Sequence, residues 1–468
     1  MKSIKKKFKK GTAMLLVCTM MTGLVTVMPQ SAIRVKAAGT APGVSAYATK
    51  EQLMDGTFAP DSSGIPANIG RLVFGKKPDG TTPQEWYILG KDSGVSGDNT
   101  IIFAANPIAR GQKFNSSTSN KTYSYEAGTG YGDTTGSIEV RANHYGASDL
   151  RAALKTMATD TTHFTPAEQG MMNDTTVTTE DTLNGVTYTT TDKLYALKGV
   201  DGTQGIYAGS SDSTVLAMSS YWSRGNWFWP RSPLGSSSGG LALLAVPGRG
   251  VSVGNVNDGS RMFVQPASNL NLSSVLFASA ASSPSSGMIA SGTITSGTAM
   301  TLRLDGSSMN IGSVTYNTTT GDIKAVKGST SQTVALIVQG NDGTNDWYYS
   351  KPITGTEAVN ASAIKSTLNL SSDIDLSACK IWLETTVDNV AYAVQATETT
   401  IRIIHSVEIT GIDAPTANTA LDTEASCATT GVSSTTPQII WTPNDTIAGY
   451  NTSSVSYTHL TLPTRYSV

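Results

Sequence analysis

The fold is decided by the stretch YWSRGNWFWPRSP at residues 221–233, followed by LALLAVPGRGVSVGNVNDG at 241–259 and SRMFVQPASNL at 260–270. Large aromatic side chains in a chain rich in Ser, Thr and Gly form either a core or a rigid recognition surface. Trp227, Phe228 and Trp229 cannot all lie on one face of a strand, because side chains alternate. Unless both faces are buried, at least one is therefore expected to be exposed or to cover a loop. Trp227 is the preferred exposed candidate, and whether Trp222 and Trp229 are core stays open.

The N-terminus has the order of a secretory signal peptide. Lysines are frequent in the first ten residues, and an apolar run follows from Ala13 to Met28. Val35-Lys36-Ala37 then resembles the small-residue cleavage site of a signal peptide. This order predicts a signal peptide at residues 1–38. An uncleaved anchor is disfavoured because the apolar run is short and interrupted. We expect a secreted, extracellular protein that is attached to the cell surface in its full-length form, with no membrane insertion of the mature chain.

Signal-peptide removal makes the chain acidic. Eight of the 33 Lys and Arg residues lie in residues 1–38, so the remaining 25 face 35 Asp and Glu, a net charge of about −10. Such a chain lacks the basic surface that nucleic acid or an anionic membrane requires. The two cysteines left, Cys379 and Cys427, fall in what we expect to be separate modules. Stability must therefore come from buried cores rather than from a disulfide framework.

Composition divides the rest of the chain into modules. Residues 39–277 predict an α+β domain with few helices, one capped by Ser148 and another opened by a capping box at Thr165–Glu168. Residues 278–290 form a linker of small residues. Residues 291–404 predict an all-β, immunoglobulin-like sandwich, because Met300, Leu302 and Leu304 alternate with polar residues. Two hairpins are expected after them, with turns at residues 340–343 and at Asp388-Asn389.

The end of the chain is expected to be incomplete. Residues 405–454 begin like a further β-module, which is cut short. In residues 455–468, VSYTHLTLPT resembles the translation of a common sequencing adapter over ten consecutive residues. We expect this last segment to be read-through that is not native protein.

The central motifs resemble a family of domains of unknown function in secreted proteins of gut clostridia. The family has a Trp-Leu-Arg-Ser-Pro step and a later Val-Arg-Pro-Ala-Phe/Leu-Asn-Leu close. The matching positions here are Tyr221-Trp222, Trp229-Pro230-Arg231-Ser232-Pro233, Val251-Ser252-Val253, Val264-Gln265-Pro266-Ala267 and Asn269-Leu270. Pro230 replaces the usual Leu and Gln265 the usual Arg, which removes a charge at that step.

The resemblance implies a C-type-lectin-like fold for residues 39–277. Such domains are similar in fold to formylglycine-generating enzymes and to the variable receptors of diversity-generating retroelements. Formylglycine-generating enzymes act through paired reactive cysteines, and residues 39–277 contain none. That sulfur chemistry is therefore excluded.

Other catalytic arrangements are weakly supported by the sequence. His144 and His163 lie 19 positions apart, with no ligand-like spacing. Asp149, Glu168 and Asp174 are candidates for the carboxylate pair of a glycoside hydrolase, but helix capping explains two of them. We therefore expect a protein that is not an enzyme and needs no cofactor.

Binding residues are expected around Trp227. Arg224, Asn226, Arg249 and Asn257 supply polar groups near it in sequence. Aromatic side chains mixed with Arg and Asn suit the recognition of sugars or proteins. Trp227, Arg224, Asn226, Arg249 and Asn257 are thus the candidate ligand-binding residues.

Calcium is a weaker possibility at the turn NVNDG. The oxygen-bearing side chains of Asn255, Asn257 and Asp258 are candidate Ca²⁺ ligands, although an Asn-Asp-Gly β-turn is the favoured explanation of this sequence. The sequence as a whole predicts a secreted or cell-surface binding protein, an adhesin or receptor, for a glycan or protein ligand. The alternatives are a carbohydrate-active hydrolase and a structural stalk or surface-layer component.

Overall fold

The computed structural model describes most of the chain between residues 46 and 399. The described ranges are 46–59, 71–201, 205–212, 214–217, 226–235, 239–246, 250–280, 289–294, 299–343 and 345–399, with four short strands beyond them. The predicted signal peptide, residues 1–38, lies outside the described residues.

The described residues are mostly β-strand with few helices, which confirms a β-rich fold. The α-helices are α1 (Lys50–Met54), α2 (Asp149–Thr159), α3 (Pro166–Met171) and α4 (Ala361–Leu368). The strands of residues 46–280 are β1 (Tyr47–Thr49), β2 (Arg71–Lys76), β3 (Pro83–Gly90), β4 (Asn99–Ala104), β5 (Ala109–Arg110), β6 (Lys121–Tyr125), β7 (Gly136–Val140), β8 (Met172–Asn173), β9 (Thr175–Asp181), β10 (Val186–Asp192), β11 (Leu194–Tyr195), β12 (Lys198–Gly199), β13 (Gly205–Ala208), β14 (Thr214–Ala217), β15 (Trp227–Phe228), β16 (Leu241–Val246), β17 (Gly250–Asn255), β18 (Met262–Val264), β19 (Ala267–Asn271) and β20 (Val275–Ala280). The later strands are β21 (Gly292–Ile294), β22 (Met300–Asp305), β23 (Gly312–Asn317), β24 (Asp322–Lys327), β25 (Val334–Asn341), β26 (Asp346–Ile353), β27 (Thr356–Asn360), β28 (Lys380–Val387), β29 (Val390–Gln395), β30 (Thr397–Glu398), β31 (Ile409–Thr410), β32 (Ser426–Cys427), β33 (Trp441–Pro443) and β34 (Tyr457–Leu460).

The chain forms two compact units. The first comprises residues 1–315 and 322–397, and the second comprises 316–321 and 398–468. In the second unit β31 pairs with β32, and β33 pairs with β34. The strand β34 falls within residues 455–468, the segment predicted to be read-through.

One large sheet organises the first unit. Its strand order is β11-β19-β4-β3-β2-β22-β29-β28-β25-β26-β21, with β1, β8 and β20 attached to it. The strand β4 is buried along its whole length, and β3 along most of it. Both faces of these strands therefore lie in the core, as their continuous apolar runs require.

The large sheet crosses the predicted domain boundary. The strand β20 pairs with β22, which also pairs in parallel with β2 and with β29. The predicted linker at 278–290 needs correction, because residues 278–280 belong to β20; residues 281–288 lie outside the described residues. The predicted α+β domain and the predicted β-module therefore share one sheet, and each covers an edge that would otherwise be open.

Local signals in the sequence place the helices correctly. Ser148 caps α2, its hydroxyl accepting from the Arg151 backbone N–H, and Thr165 with Glu168 forms the capping box of α3. Both caps satisfy amide groups that a helix start leaves without partners. Both helix predictions are confirmed. Within the described residues no helix is both long enough and apolar enough to cross a membrane.

The described residues also form several smaller sheets. A five-stranded sheet has the order β17-β16-β15-β18-β5, a three-stranded sheet consists of β12, β13 and β14, and β6–β7 and β9–β10 are hairpins. In the later part, β24 pairs with β27, and α4 follows β27 directly. The hairpins predicted across residues 340–343 and across Asp388-Asn389 are present as β25–β26 and β28–β29.

A fully buried ion pair lies between β22 and β28. Arg303 Nε donates to Glu384 Oε2 at 2.7 Å, and neither side chain is exposed to solvent. Arg303 also donates to the backbone carbonyls of Ser279 and Ala280 in β20, while Trp382 Nε1 donates to Glu384 at 2.8 Å. The charges are thus paired and further hydrogen-bonded, which is what burial of an ion pair demands.

We expect Glu384→Gln to lower the free energy of unfolding by about 3–5 kcal/mol, because it leaves the Arg303 charge buried without a counter-charge. Urea unfolding of the full chain measures it. Glu357→Gln is the matched control, since Glu357 pairs with Lys351 at the partly exposed surface and should cost at most about 1 kcal/mol. Equal small losses in both variants would contradict a central role for the buried pair.

Candidate functional site

The three consecutive aromatics of the opening stretch divide between core and surface. Phe228 and Trp229 are buried, at 0% and 2% exposure, whereas Trp227 is half-buried and packs against the core. The Trp229 ring meets Phe114 edge-on at 5.8 Å, and its Nε1 donates to the Gln112 carbonyl at 3.2 Å. Trp229 is therefore scaffold. Trp227 is less exposed than the sequence predicted, because β15 lies between β16 and β18.

Arg231, in the Trp-Pro-Arg-Ser-Pro step, is a buried structural residue. Its guanidinium donates to the carbonyls of Thr178 and Ala196, each at 3.1 Å, and pairs with Asp212. It thus ties β9 and the segment after β11 to the loop that follows β15. Its exposure is 0%, so it serves packing rather than ligand contact.

Gln265, at the position where the family that the sequence resembles has Arg, is buried, and only one of its two polar side-chain atoms is hydrogen-bonded. Its Nε2 donates to the Ala104 carbonyl at 3.2 Å, while its Oε1 has no hydrogen-bond partner among the described residues. A buried acceptor without a donor is costly. The buried Gln265 side chain therefore leaves a small defect in the scaffold at this position.

The other predicted binding residues do not form one described site. Asn226 is half-buried beside Trp227, and Asn257 is exposed on the turn after β17. Arg224 and Arg249 lie outside the described residues, as does Trp222. The structure therefore describes only Asn226, Trp227 and Asn257 of the predicted set.

The predicted calcium residues build a β-turn. The Asp258 backbone N–H donates to the Asn255 carbonyl at 2.9 Å, and Asp258 Oδ1 accepts from the N–H and hydroxyl of Ser260. These contacts support the turn interpretation of NVNDG. In the part of the chain that the structure describes, no group of three or more His, Cys, Asp or Glu side chains is arranged to hold a metal ion.

A cluster of aromatic side chains that the sequence did not reveal lies beside the β6–β7 hairpin. We call it the tyrosine cluster, and its members are Tyr123, Tyr125, Tyr131, His144 and Tyr188. The His144 and Tyr188 rings stack at 4.2 Å, with 12° between their planes. Tyr125 and Tyr131 pack at 4.9 Å and are both partly exposed. The cluster thus has a buried floor and a partly exposed upper layer.

Hydrogen bonds fix the orientation of His144. The Ala147 backbone N–H donates to its Nδ1 at 3.1 Å, so Nδ1 carries the lone pair and Nε2 carries the proton. Nε2 lies 2.8 Å from the Tyr131 hydroxyl, which donates to Asp181 Oδ2 at 2.9 Å. Both ring nitrogens are therefore used within the protein. Burial lowers the pKa of His144 to about 4, and Asp181 offsets only part of this effect.

Asp181 anchors the other end of this chain of hydrogen bonds. Its Oδ1 accepts from the backbone N–H groups of Leu183 and Asn184, and its Oδ2 accepts from Asn184 Nδ2 and Tyr131. Burial alone would raise the pKa of Asp181, but these hydrogen bonds outweigh it and lower the pKa. Asp181 is therefore a carboxylate that holds the Tyr131 hydroxyl in place.

The carboxylates considered for hydrolysis are engaged elsewhere. Asp149 pairs with Lys121 at 2.8 Å, and Glu168 accepts from the backbone N–H groups of Gly75 and Thr165. Asp174 is exposed beside β9. His163 Nδ1 lies 3.0 Å from the Lys76 carbonyl, away from the tyrosine cluster. These contacts assign structural roles to Glu168 and His163 and place Asp149 against Lys121.

The tyrosine cluster escaped sequence reasoning because its members are dispersed along the chain. Tyr123 and Tyr125 share β6, and Tyr188 lies on β10. The sequence feature that could have indicated the cluster is Asn143-His144-Tyr145, a polar and aromatic triplet just before a helix cap.

No protein-family model, curated protein or solved structure matches this chain.

We expect Trp229→Ala to lower the free energy of unfolding by about 3–5 kcal/mol, because it empties a buried site. Trp227→Ala should cost at most about half as much, since part of its ring is exposed to solvent. Chemical denaturation of the two variants provides the comparison. Equal losses would show that Trp227 is as much a core residue as Trp229.

We expect the free energy of unfolding to decrease as the pH falls from about 6.5 toward 4, because of His144 in the tyrosine cluster. His144 has a folded pKa of about 4, so in that window the unfolded chain binds a proton that the folded chain does not. The full effect is roughly 3 kcal/mol. It is measured as the difference in urea unfolding between wild type and His144→Gln at pH 7 and pH 4.5. An unchanged difference at the two pH values would contradict this prediction.

Proposed function

We propose that this chain is a secreted or cell-surface binding protein that recognises a glycan or protein ligand without catalysing a reaction. Recognition takes place through loops and hairpins of a C-type-lectin-like domain, which immunoglobulin-like β-strands follow. The observation that carries the proposal is the partly exposed pair Tyr125 and Tyr131, whose rings rest on a hydrogen-bonded floor. Rigid amphipathic rings bind at low entropic cost.

The arrangement of the tyrosine cluster favours a binding surface. Tyrosine rings offer an apolar face together with a hydroxyl, and both sugars and protein surfaces use such faces. Glu126 and Asp133 are exposed close to these rings in sequence and add polar groups at the margin. Trp227 with Asn226 remains a second candidate surface, on β15.

The internal bonding of the polar side chains favours binding over hydrolysis. A glycoside hydrolase needs one carboxyl to donate a proton and another to act as base or nucleophile. Asp149 and Asp181 both have lowered pKa values and several hydrogen-bond donors, so neither is held protonated as the acid that a glycosidic oxygen requires. His144 likewise has both ring nitrogens engaged.

The topology supports the finer fold proposal. The strands β1 and β20, near the two ends of the predicted 39–277 domain, pair in antiparallel fashion, so the ends of that domain meet. Chain ends that lie close together are common in domains, and here β2 and β20 also pair with β22 of the predicted β-module. For the later part, β23, β24 and β27 belong to a separate sheet from β25, β26, β28 and β29, as a sandwich requires.

We expect Tyr125→Ala to weaken ligand binding about 30-fold, because loss of an aromatic anchor costs roughly 2 kcal/mol or more. The mature chain is applied to printed arrays of glycans and extracellular-matrix proteins, and affinities for the positive spots are then measured. Tyr349→Ala is the matched control, since Tyr349 is also half-buried but lies on β26. Its binding should be unchanged.

Three outcomes separate the alternatives. Loss of binding in Tyr125→Ala alone supports the tyrosine cluster as the binding surface. Loss in Trp227→Ala alone would move the surface to β15. Release of labelled fragments from a polysaccharide, with no retention on the array, would overturn the proposal in favour of a hydrolase.

A further inference from the structure

Lys121, Asn115 and Asp149 form a compact trio at the start of β6. Lys121 Nζ contacts Asn115 Oδ1, lies 2.8 Å from Asp149 Oδ1, and donates to the Ala147 carbonyl at 3.2 Å. Asn115 is fully buried, while Lys121 and Asp149 are partly buried. An amine, a primary carboxamide and a carboxylate thus meet at one point.

We propose that Lys121 and Asn115 join in an intramolecular isopeptide bond, with Asp149 as the group that moves the protons. The product is an amide between Lys121 Nζ and Asn115 Cγ, and the leaving group is ammonia. This modification is independent of the proposed binding function.

The Asn115 amide is held in a single orientation. Its Nδ2 donates to the Ala142 carbonyl at 2.7 Å, and its backbone N–H donates to the Val256 carbonyl at 2.9 Å. These contacts direct Oδ1 toward Lys121 and hold the future leaving group, Nδ2, on the opposite side. The carboxamide is therefore fixed before any reaction.

The nucleophile is already beside the carbon that it must attack. A carbonyl oxygen lies about 1.23 Å from its carbon, so an amine in contact with Oδ1 is also in van der Waals reach of Cγ. Reacting atoms held at about 3–3.5 Å are in a near-attack arrangement, which replaces a bimolecular encounter with an internal one. Asn115 itself is fully buried, which limits the access of competing water to its carboxamide.

Asp149 is placed to accept the proton of the lysine ammonium group. Its Oδ1 accepts from Nζ, and its Oδ2 accepts from the Ser116 backbone N–H at 2.7 Å. Burial alone would raise the pKa of Asp149, but the hydrogen bonds from Lys121 and Ser116 outweigh it and keep the group ionised. A carboxylate in contact with an ammonium group can act as its base.

The reaction balances without a further reagent. The ammonium group gives a proton to Asp149, and the neutral amine attacks Cγ and forms the C–N bond. The attacking nitrogen, which is cationic after the attack, passes its second surplus proton to Nδ2 on the same carbon, and ammonia is released as the bond between Cγ and Nδ2 breaks. The ammonia takes up the proton held by Asp149 as it leaves, so that ammonium is released, Asp149 is again a carboxylate, and no electrons are gained or lost.

The bond would fix the strand that carries the upper layer of the tyrosine cluster. It closes the loop from Asn115 to Lys121, and Lys121 is the first residue of β6, on which Tyr123 and Tyr125 lie. A covalent closure restricts the unfolded chain, and hence stabilises the folded hairpin.

Peptide mapping of the full mature chain tests the proposal directly. Trypsin cuts after Lys113, Lys121 and Arg141 in an unmodified chain. With the bond in place, residues 114–141 appear as one peptide, uncut at Lys121 and about 17 Da lighter than its sequence. Fragmentation should produce no backbone ions that separate residues 115 to 121.

The variants identify the chemistry. Lys121→Arg should restore the full mass and the cut after residue 121, and Asp149→Asn should fold but leave the bond unformed. Lys365→Arg is the matched control, because Lys365 also pairs with an aspartate at 2.8 Å. In this variant the peptide of residues 114–141 should still be about 17 Da lighter than its sequence.

Two results would overturn the proposal. One is the recovery of residues 114–121 at full mass from the wild-type protein. The other is a peptide 114–121 that is about 17 Da lighter yet still cut after Lys121, since a succinimide at Asn115 leaves the lysine free. The wild-type measurement decides the matter even if a variant fails to fold.

Discussion

The buried pair between Arg303 and Glu384 is the constraint on which the architecture of the first unit depends. Two charges removed from water are tolerated only when they are paired and their remaining donors and acceptors are satisfied. Arg303 meets this condition through Glu384 in β28 and through the carbonyls of Ser279 and Ala280 in β20. The network thus links β20, β22 and β28 through side chains, across β29, which pairs with both β22 and β28 in the large sheet.

The sequence predicts structure that depends on neighbouring residues, and it does not predict contacts between segments that lie far apart in the chain. The caps at Ser148 and Thr165 and the two later hairpins depend on residues a few positions apart, and they are present as expected. The alternation of Met300, Leu302 and Leu304 with polar residues predicted a strand at β22 but did not indicate what its polar residues contact. Thr301 and Arg303 are 2% and 0% exposed, because β20 and β28 bring partners that no local pattern encodes.

The same distinction separates the predicted site from the observed one. The sequence indicated a site at the aromatic run around Trp227 because these residues are adjacent in the chain. In the structure, however, Phe228, Trp229 and Arg231 are buried in the core. The tyrosine cluster combines residues from β6, the following loop, the segment before α2 and β10. Only the folded chain brings those four segments together.

Helix α2 connects the predictable part of the fold with the unpredictable part. Its first turn carries Asp149, which pairs with Lys121 at the start of β6, and Arg151, which pairs with Asp192 at the end of β10 at 2.8 Å. The strands β6 and β10 bear Tyr123, Tyr125 and Tyr188. Because Ser148 fixes where α2 begins, the cap also fixes the spacing of both strands and hence of the aromatic rings. The Ser148 cap can be recognised in the sequence, and it helps to set the geometry of the tyrosine cluster, which cannot be recognised there.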